Sequence, residues 1–433
     1  MNSNLNFYRI EPGIIEVGKE TEVTIRAIDN NRHFEEGVVY RVTIWPTTRN
    51  QHGFTKIEDR IKRVTAHNGK ISFKFVYDKE EEYYINVHKG EEKDRIVQLS
   101  VYAVESDLYA LRPLKGDTHC HCCPTDYTLW RKKDGADNPE VIPAEYRRRG
   151  YDFMTLTDHD RYFGSVEMQE RFRKIRLGLC INRGEEVHAP RNFVHVVNFG
   201  GEYSVNEIFQ NDPDRFNREV QEIVDTEKID YFDKWLYATN AWVGRNIRKA
   251  NGLAVFCHPH WISQVYNVPD DLTRQFMQNK LFDAYEVVGA SNWHCDNMKI
   301  ALYNQLKDEG IEMPPLVGAS DAHLQTCSPQ FGKKFSIVFA EKNETKSLIK
   351  AIKEYRITPV EYLGDDYVVH GKYRYVSYAR YLIEWYFPLT LEICEEEGNL
   401  MRKYVLGIEG AEEELNARAD NALEFYKRFS GRN

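Results

Sequence analysis

Three pairs of metal-competent residues, each with a spacing of two, are widely separated in this 433-residue chain. They are His119 with His121, His258 with His260, and Asp321 with His323. Side chains at positions i and i+2 of an extended segment lie on one face, so both members of each pair could bind the same ion. Because each pair ends an apolar run typical of a strand, the three together indicate a metal centre at strand ends.

The first pair lies in GDTHCHCCPTD, which also contains three cysteines. The alternation that puts His119 and His121 on one face directs Cys120 and Cys122 to the other. We therefore expect the histidines, not the thiols, to face an ion, with Asp126 returning from the following loop as a third ligand.

Two further blocks supply a histidine and adjacent carboxylates. TDHD places His159 after the apolar run FMTL, where a neighbouring Asp could equally cap a helix. GEEVH is followed by FVHVVN, which contains His195. A carboxylate can bridge two cations, but we expect one of Glu185 and Glu186 to be a solvated neighbour and His188 to be an exposed strand-end residue.

The remaining pattern predicts the elements that position these residues. Short alternating strands from about 23 to 104 indicate an all-β sandwich, and the later alternation of apolar runs with helical stretches indicates an α/β barrel. We expect a sandwich over 1–106, a barrel over 107–365 and C-terminal helices over 366–433 that pack on the barrel. Active sites of such barrels form at the carboxyl ends of the strands, so distant motifs can meet there.

Composition narrows the classes of function. The net charge of −9 disfavours a nucleic-acid binder, which needs a surplus of Lys and Arg, and favours a small-molecule substrate. We find no apolar run long enough for a membrane span and no secretory signal, so we expect a cytoplasmic protein with reduced thiols. The oligomeric state stays open.

Taken in order, GDTHCH, YDFMTLTDHD, GEEV, HVVN, CHP and GASDAH resemble the PHP (polymerase and histidinol phosphatase) superfamily of metal-dependent phosphoesterases. The resemblance spans about residues 110–340 and implies a distorted seven-stranded (β/α) barrel. GEEV with the downstream H-x-x-N and with AYEVV is most similar to the branch that includes carbamate-cleaving hydrolases. The first block departs from the family pattern at Cys122, Thr125 and Tyr127, which leaves a bulkier wall beside Asp126.

The resemblance also implies the site residues and two or three divalent ions, which could be Zn, Mn or Fe. The implied metal ligands are His119, His121, Asp126, His159, Glu186, His195, His258, Asp321 and His323. Glu186 is preferred to Glu185 because the family block reads G-x-E from Gly184. Among these ligands, we assign catalysis to Glu186, His258, Asp321 and His323.

Two outer sets complete the expected site. Histidine ligands need acceptors that fix their tautomer, and the nearby candidates are Asp117, Asp158, Asp160 and Asn198. We assign substrate binding to Arg161, His260 and Asn292.

The expected function is a metal-dependent hydrolase, a phosphoesterase of small phosphate esters in which the ions activate a water as hydroxide. Carbamate, amide or ester hydrolysis at the same centre is an alternative. A non-catalytic binding protein with a structural metal is another.

Overall fold

A computed structural model describes residues 3–29, 31–48, 60–122, 135–262, 264–289, 293–325 and 331–432. The chain divides into two compact units. The first comprises residues 1–111, 373–393 and 420–433, and the second comprises 112–372 and 394–419. The C-terminal segment is thus shared between both units.

The first unit contains eight strands in its described part. They are β1 (Tyr8–Glu11), β2 (Ile14–Glu16), β3 (Glu20–Ala27), β4 (Val39–Pro46), β5 (Ile61–Thr65), β6 (Lys70–Val76), β7 (Glu81–Lys89) and β8 (Arg95–Val104). They form a sheet of order β1-β3-β6 and a sheet of order β2-β8-β7-β4-β5. Period-two alternation explains this, since Ile71 and Phe73 of β6 are buried between exposed neighbours.

Helices complete the first unit. A 3-10 turn (Ser3–Asn6) precedes β1, and α1 (Ser106–Tyr109) follows β8.

In the second unit, the helices before the C-terminal segment are α2 (Ile142–Arg148), α3 (Phe163–Arg171), α4 (Asn206–Asn211), α5 (Pro213–Thr226), α6 (Lys234–Lys249), α7 (Asp270–Gln278), α8 (Trp293–Asp308) and α9 (Thr345–Lys353). The C-terminal segment forms α10 (Tyr373–Tyr381), a π-helical turn (Leu382–Tyr386), α11 (Phe387–Val405), α12 (Ala411–Arg418) and α13 (Asn421–Phe429).

The strands of the second unit form two mixed sheets. These strands are β9 (Arg112–Asp117), β10 (Phe153–Thr155), β11 (Cys180–Asn182), β12 (Gly184–Val187), β13 (Val196–Phe199), β14 (Leu253–Phe256), β15 (Ala284–Val288), β16 (Leu316–Gly318), β17 (Lys334–Ala340), β18 (Ile357–Leu363) and β19 (Asp366–Val369). One sheet has the order β11-β10-β9-β17-β18-β19 and the other the order β12-β13-β14-β15-β16. Two isolated parallel bridges join Cys120 with Ala322 and His159 with Glu186. Of these residues, only Glu186 belongs to a strand, β12.

The predicted α/β class is therefore confirmed, whereas the expected distorted seven-stranded (β/α) barrel is not. Strand β13 is antiparallel to both β12 and β14, and β17 is antiparallel to β9. The connection between β12 and β13 contains no helix, so the chain reverses direction there and the two strands pair antiparallel. Strands of both sheets nevertheless share one apolar core that includes Leu114, Phe153, Val255 and Val338.

Among the described residues, no helix combines the length and the apolar character needed to cross a bilayer.

Candidate metal centre

The carboxylate of Glu186 is fully buried on β12, and one of its oxygens faces three imidazoles. Its Oε2 lies 2.7 Å from His159 Nε2, 3.4 Å from His119 Nε2 and 3.6 Å from His121 Nε2. The two latter nitrogens are 3.1 Å apart. This oxygen of Glu186 therefore lies near both histidines of the first pair, which follow β9, and near the histidine of TDHD, which follows β10.

The other oxygen of Glu186 faces a second set of three imidazoles. Its Oε1 lies 2.7 Å from His195 Nδ1, 3.2 Å from His258 Nε2 and 3.6 Å from His188 Nε2. The Cys257 thiol lies 3.7 Å from the same oxygen. Each carboxylate oxygen thus has its own group of nitrogen donors, which is the arrangement expected of a carboxylate that bridges two cations.

His188 is part of this group, which corrects the expectation that it is an exposed strand-end residue. Its ring lies 3.9 Å from that of His195 and 4.5 Å from that of His159, centroid to centroid. The reason is register: Val187 pairs with Val196, so His188 and His195 extend the same face of neighbouring strands as Glu186. The i, i+2 relation between Glu186 and His188 was the sequence signal for this placement.

Asp321 supplies a second carboxylate after β16. Its Oδ1 lies 2.8 Å from His121 Nε2 and 3.3 Å from His119 Nε2, and its Oδ2 is 4.0 Å from His258 Nε2. His323 stacks on His121 with ring centroids 4.2 Å apart. Burial alone would raise the pKa of Asp321, but the imidazoles of His119, His121 and His258 hold that pKa well below its ordinary value.

The carboxylates of the cluster are held in their ionised form, whereas its imidazoles differ. Burial would lower the pKa of His119, but Asp321, Glu186 and Glu286 raise that pKa well above its ordinary value. Burial lowers the pKa of His195 to about 4 against the opposing effect of Glu186. Burial would also raise the pKa of Glu186, but His159, His195 and His119 hold that pKa well below its ordinary value. Ionised oxygens and neutral imidazole nitrogens are the forms in which these groups bind metals.

Glu286 on β15 orients His119. Its Oε2 lies 3.0 Å from His119 Nδ1, so the opposite nitrogen, Nε2, is directed at Glu186 and Asp321. A carboxylate on the far nitrogen of a metal-binding histidine fixes its tautomer and raises its basicity. Gly289 makes room for this carboxylate, since a Cβ there would lie 2.5 Å from Glu286 Oε1.

Asp117 joins the segments that carry two of the predicted ligand pairs. Its Oδ1 accepts from the backbone N–H groups of His119 (3.2 Å) and Ser320 (3.0 Å), and its Oδ2 accepts from Tyr146 Oη (2.7 Å). The backbone N–H of Asp321 donates to the His119 carbonyl at 2.9 Å. Asp117 was predicted to orient an imidazole; the bonds it makes instead hold the backbone of the two segments in register.

The carboxylate of Asp158 also binds a backbone group, whereas Asp160 contributes its own backbone N–H. Asp158 accepts from the backbone N–H of Cys122 (2.7 Å) and from the Cys122 thiol (2.9 Å), which anchors the chain just after His121. The side chain of Asp160 is exposed, and its backbone N–H donates to the Glu186 carbonyl at 3.2 Å. Cys120 and Cys122 are buried, and the Cys120 thiol donates to the Thr155 carbonyl.

Glu185 is not solvated, contrary to expectation. It is fully buried and accepts hydrogen bonds from Asn198 Nδ2 (3.1 Å), Ser204 Oγ (2.6 Å), the Val205 N–H (2.5 Å) and Asn206 Nδ2 (2.9 Å). Asn198 was predicted to orient a ligand, but it faces Glu185, its register partner, on the side of the sheet opposite Glu186. Both faces of β12 are buried, so both glutamates are enclosed.

The residues assigned to substrate binding lie in different places. His260 is buried, and its Nε2 is 3.1 Å from Asp270 Oδ1, so it contacts this carboxylate rather than Glu186 or Asp321. Arg161 is half-buried two residues after His159. Asn292 and the predicted ligand Asp126 lie outside the described residues.

The donor set fits divalent transition metals. Despite the short distances, Glu186 Oε2, His188 Nε2 and His195 Nδ1 are buried without a well-aligned hydrogen bond among the described residues. Buried polar atoms are normally satisfied, and cations held by the two groups of donors would satisfy these three. Four groups of donor atoms each lie within 4.8 Å of one another: His159, Glu186, His188 and His195; His119, Cys257 and His258; His121, His159 and His323; and His119, His121 and Glu186.

Comparison with known proteins finds likenesses among solved structures. No family model matches the chain, and a search of curated proteins finds no match either. One similar structure is a two-domain protein from Bacteroides vulgatus that contains a predicted PHP-like metal-dependent phosphoesterase. It is 18% identical, with a TM-score of 0.42, over 64% of this chain and 71% of that one.

Another similar structure is an amidohydrolase from Chromobacterium violaceum with bound sulfate and no metal. It is 18% identical, with a TM-score of 0.31, over 48% of this chain and 87% of that one. The PHP-like phosphoesterase of the Bacteroides vulgatus protein is of the family that the sequence motifs resemble.

Proposed function

We propose that this chain is a metal-dependent hydrolase of the PHP type that cleaves small phosphate esters. The observation that carries the proposal is the placement of six imidazoles around one buried carboxylate, three on each oxygen of Glu186. Two oxygens cannot serve six nitrogens by hydrogen bonding, whereas two divalent cations held by Glu186 and these imidazoles would use them all. A third ion beside His323 is compatible with the His121, His159 and His323 group.

A purely structural metal is a poorer explanation of the cluster. Structural zinc sites are closed by four ligands, and this cluster offers more donors than one such site needs. It is also open on one side, because the side chains of His323 and His159 are 45% and 31% exposed. A substrate can therefore approach the donors from the His323 side.

The chain's own residues would prepare the centre for hydrolysis. Bound divalent cations supply Lewis acidity, which activates water near neutral pH and offsets charge that builds on the attacked group. Glu186 and Asp321 would remain ionised and balance the positive charge of the cations. Glu286 would keep the proton of His119 on Nδ1. The buried walls that surround Glu186 limit bulk water to the exposed side.

The charge near the opening bears on the substrate. Arg161, close in sequence to His159, is the cation we assign to a substrate phosphate, as a guanidinium binds phosphate oxygens in a fork. A carbamate or carboxylic ester is the second candidate, because the exposed Trp261 ring lies near His195 and His258 and suits an uncharged substrate. The net charge of −9 favours a small molecule over nucleic acid in either case.

Metal analysis combined with a substrate panel tests the proposal. The purified chain would be stripped with a chelator, reloaded with Zn²⁺, Mn²⁺ or Fe²⁺, and assayed on phosphate monoesters, carbamates and carboxylic esters. We expect about two ions per chain, and phosphatase activity that the chelator abolishes and a metal restores. Absence of bound metal, or equal turnover by Asp321→Asn, would contradict it. Turnover of carbamates or esters alone would favour the second candidate.

A further inference from the structure

A group of exposed apolar side chains lies next to the metal centre, in the segment that follows the CHPH motif. Trp261 is 38% exposed and Ile262 is 45% exposed, although both belong to residue types that are usually buried. Ile262 pairs with Tyr266 in an isolated antiparallel bridge, and Phe193 lies on the loop before His195. We call Trp261, Ile262, Tyr266 and Phe193 the aromatic rim.

The aromatic rim is close to the donors that surround Glu186. The Trp261 ring centroid lies 6.4 Å from that of His195 and 6.3 Å from that of His258. Both imidazoles contact Glu186 Oε1. A substrate whose scissile group sits at this oxygen would therefore extend its next few atoms over the indole.

Hydrogen bonds hold the rim in place. The backbone N–H of Trp261 donates to the His258 carbonyl (2.9 Å), and the backbone N–H of Asn267 donates to the Trp261 carbonyl (2.8 Å). Asn267 Nδ2 donates to the Phe193 carbonyl at 2.9 Å, which ties the segment to the loop before His195. These bonds fix the backbone that carries the exposed Trp261 side chain.

Single exposed apolar residues are ordinary, but a group of them beside a reactive centre marks a binding surface. Resting on the proposed function, we propose that the aromatic rim is a subsite for an aromatic ring on the alcohol portion of the substrate, packed against Trp261. The rim side chains Ile262 and Phe193 are hydrocarbon, and the Tyr266 hydroxyl already lies 3.1 Å from His294 Nε2. This composition favours an aromatic ring over a sugar, which would need several polar partners. Aromatic pairs also gain from offset or edge-to-face geometry beyond the area they bury.

Binding of two phosphonates, which are not hydrolysed, tests the subsite without turnover. Benzylphosphonate and methylphosphonate would be titrated calorimetrically into the Mn²⁺-loaded full chain, the Trp261→Ala and Trp261→Phe variants, and Phe232→Ala. Phe232 is a strongly exposed aromatic that packs on Tyr231, which makes it the matched control. We expect the wild type to prefer the benzyl compound about tenfold, Trp261→Ala to lose most of that preference, and the other two variants to keep it.

The results distinguish the subsite from the function. A benzyl preference that Trp261→Ala removes supports the subsite even if no phosphate ester is turned over, in which case the hydrolase proposal alone fails. Equal affinity of the wild type for both phosphonates, or a preference that survives in Trp261→Ala, would overturn the subsite alone. No binding of either phosphonate would overturn the subsite together with the proposed phosphate site. A larger gain from a sugar phosphate than from benzylphosphonate would overturn the choice of an aromatic ring.

Discussion

His119 lies between two buried carboxylates, with its Nδ1 3.0 Å from Glu286 and its Nε2 3.4 Å from Glu186. His119 follows β9 and Glu286 lies within β15, so the fold brings together two positions that are 167 apart in the chain. One carboxylate sets the tautomer of the imidazole, and the other shares the centre that the imidazole faces.

Replacing Glu286 tests this orientation. We expect Glu286→Gln to weaken metal binding about 10- to 100-fold, because the amide cannot polarise His119 as a carboxylate does. Competition with a chromogenic chelator would measure the affinity. Glu145→Gln is the control, since Glu145 is also buried but pairs with Arg148 and Arg402. Unchanged metal affinity in Glu286→Gln would contradict the orienting role.

The adjacent glutamates should respond oppositely to the same change. We expect Glu186→Gln to lose at least one bound ion while the chain stays folded, because an amide is a poor bridge between cations. Glu185→Gln should keep its metal but unfold more easily, by roughly 1–3 kcal/mol, because a buried acceptor network loses its charge. Metal content by mass spectrometry and urea unfolding would separate the two. Metal loss in Glu185→Gln at native fold would show that the two roles are assigned wrongly.

His188 and His260 form a second matched pair. His188→Ala should reduce the metal content or the affinity of one site, since its ring belongs to the group around Glu186 Oε1. His260→Ala should leave the metal content unchanged, because His260 contacts Asp270. Isothermal titration with Zn²⁺ after chelation would measure both. Equal losses in the two variants would mean that either change acts only through the fold.

Lys115 makes stability depend on pH at the alkaline end. It is half-buried on β9, where loss of solvation lowers its pKa from 10.5 to about 8, and its ammonium lies over the rings of Tyr151 and Phe335. Below pH 8 the lysine is charged in both states, so the full penalty of burying the charge is present. Between pH 8 and 10.5 only the unfolded state keeps the proton, and stability should rise with pH, by about 3 kcal/mol at most.

Lys115→Met provides the comparison for that prediction. Urea unfolding of both proteins at several pH values from 7 to 10 would give the difference in unfolding free energy. Other alkaline titrations affect both proteins, so the difference isolates Lys115. We expect the gain of the wild type relative to Lys115→Met to grow across this range. A constant difference would show that the lysine titrates normally.

The sequence predicted the residue types of the centre and their local spacing, because period-two alternation is a property of any extended strand. His119 and His121 face one centre, and Cys120 and Cys122 do not, as this alternation requires. The two-sheet character of the first unit and the mixed α/β character of the second were also readable from patterning.

Only the tertiary structure decided which of these residues meet and which faces are enclosed. Glu185 and Glu186 differ by one position, and both are buried because β12 is covered on both faces, so hydrophobic alternation gives no sign of either role. His188 joins the centre through its register with β13, and Glu286 through the packing of β15 beside β14 and β16. Strand pairing and packing over long sequence separations set these contacts, whereas the sequence determines only the local periodicity on which they act.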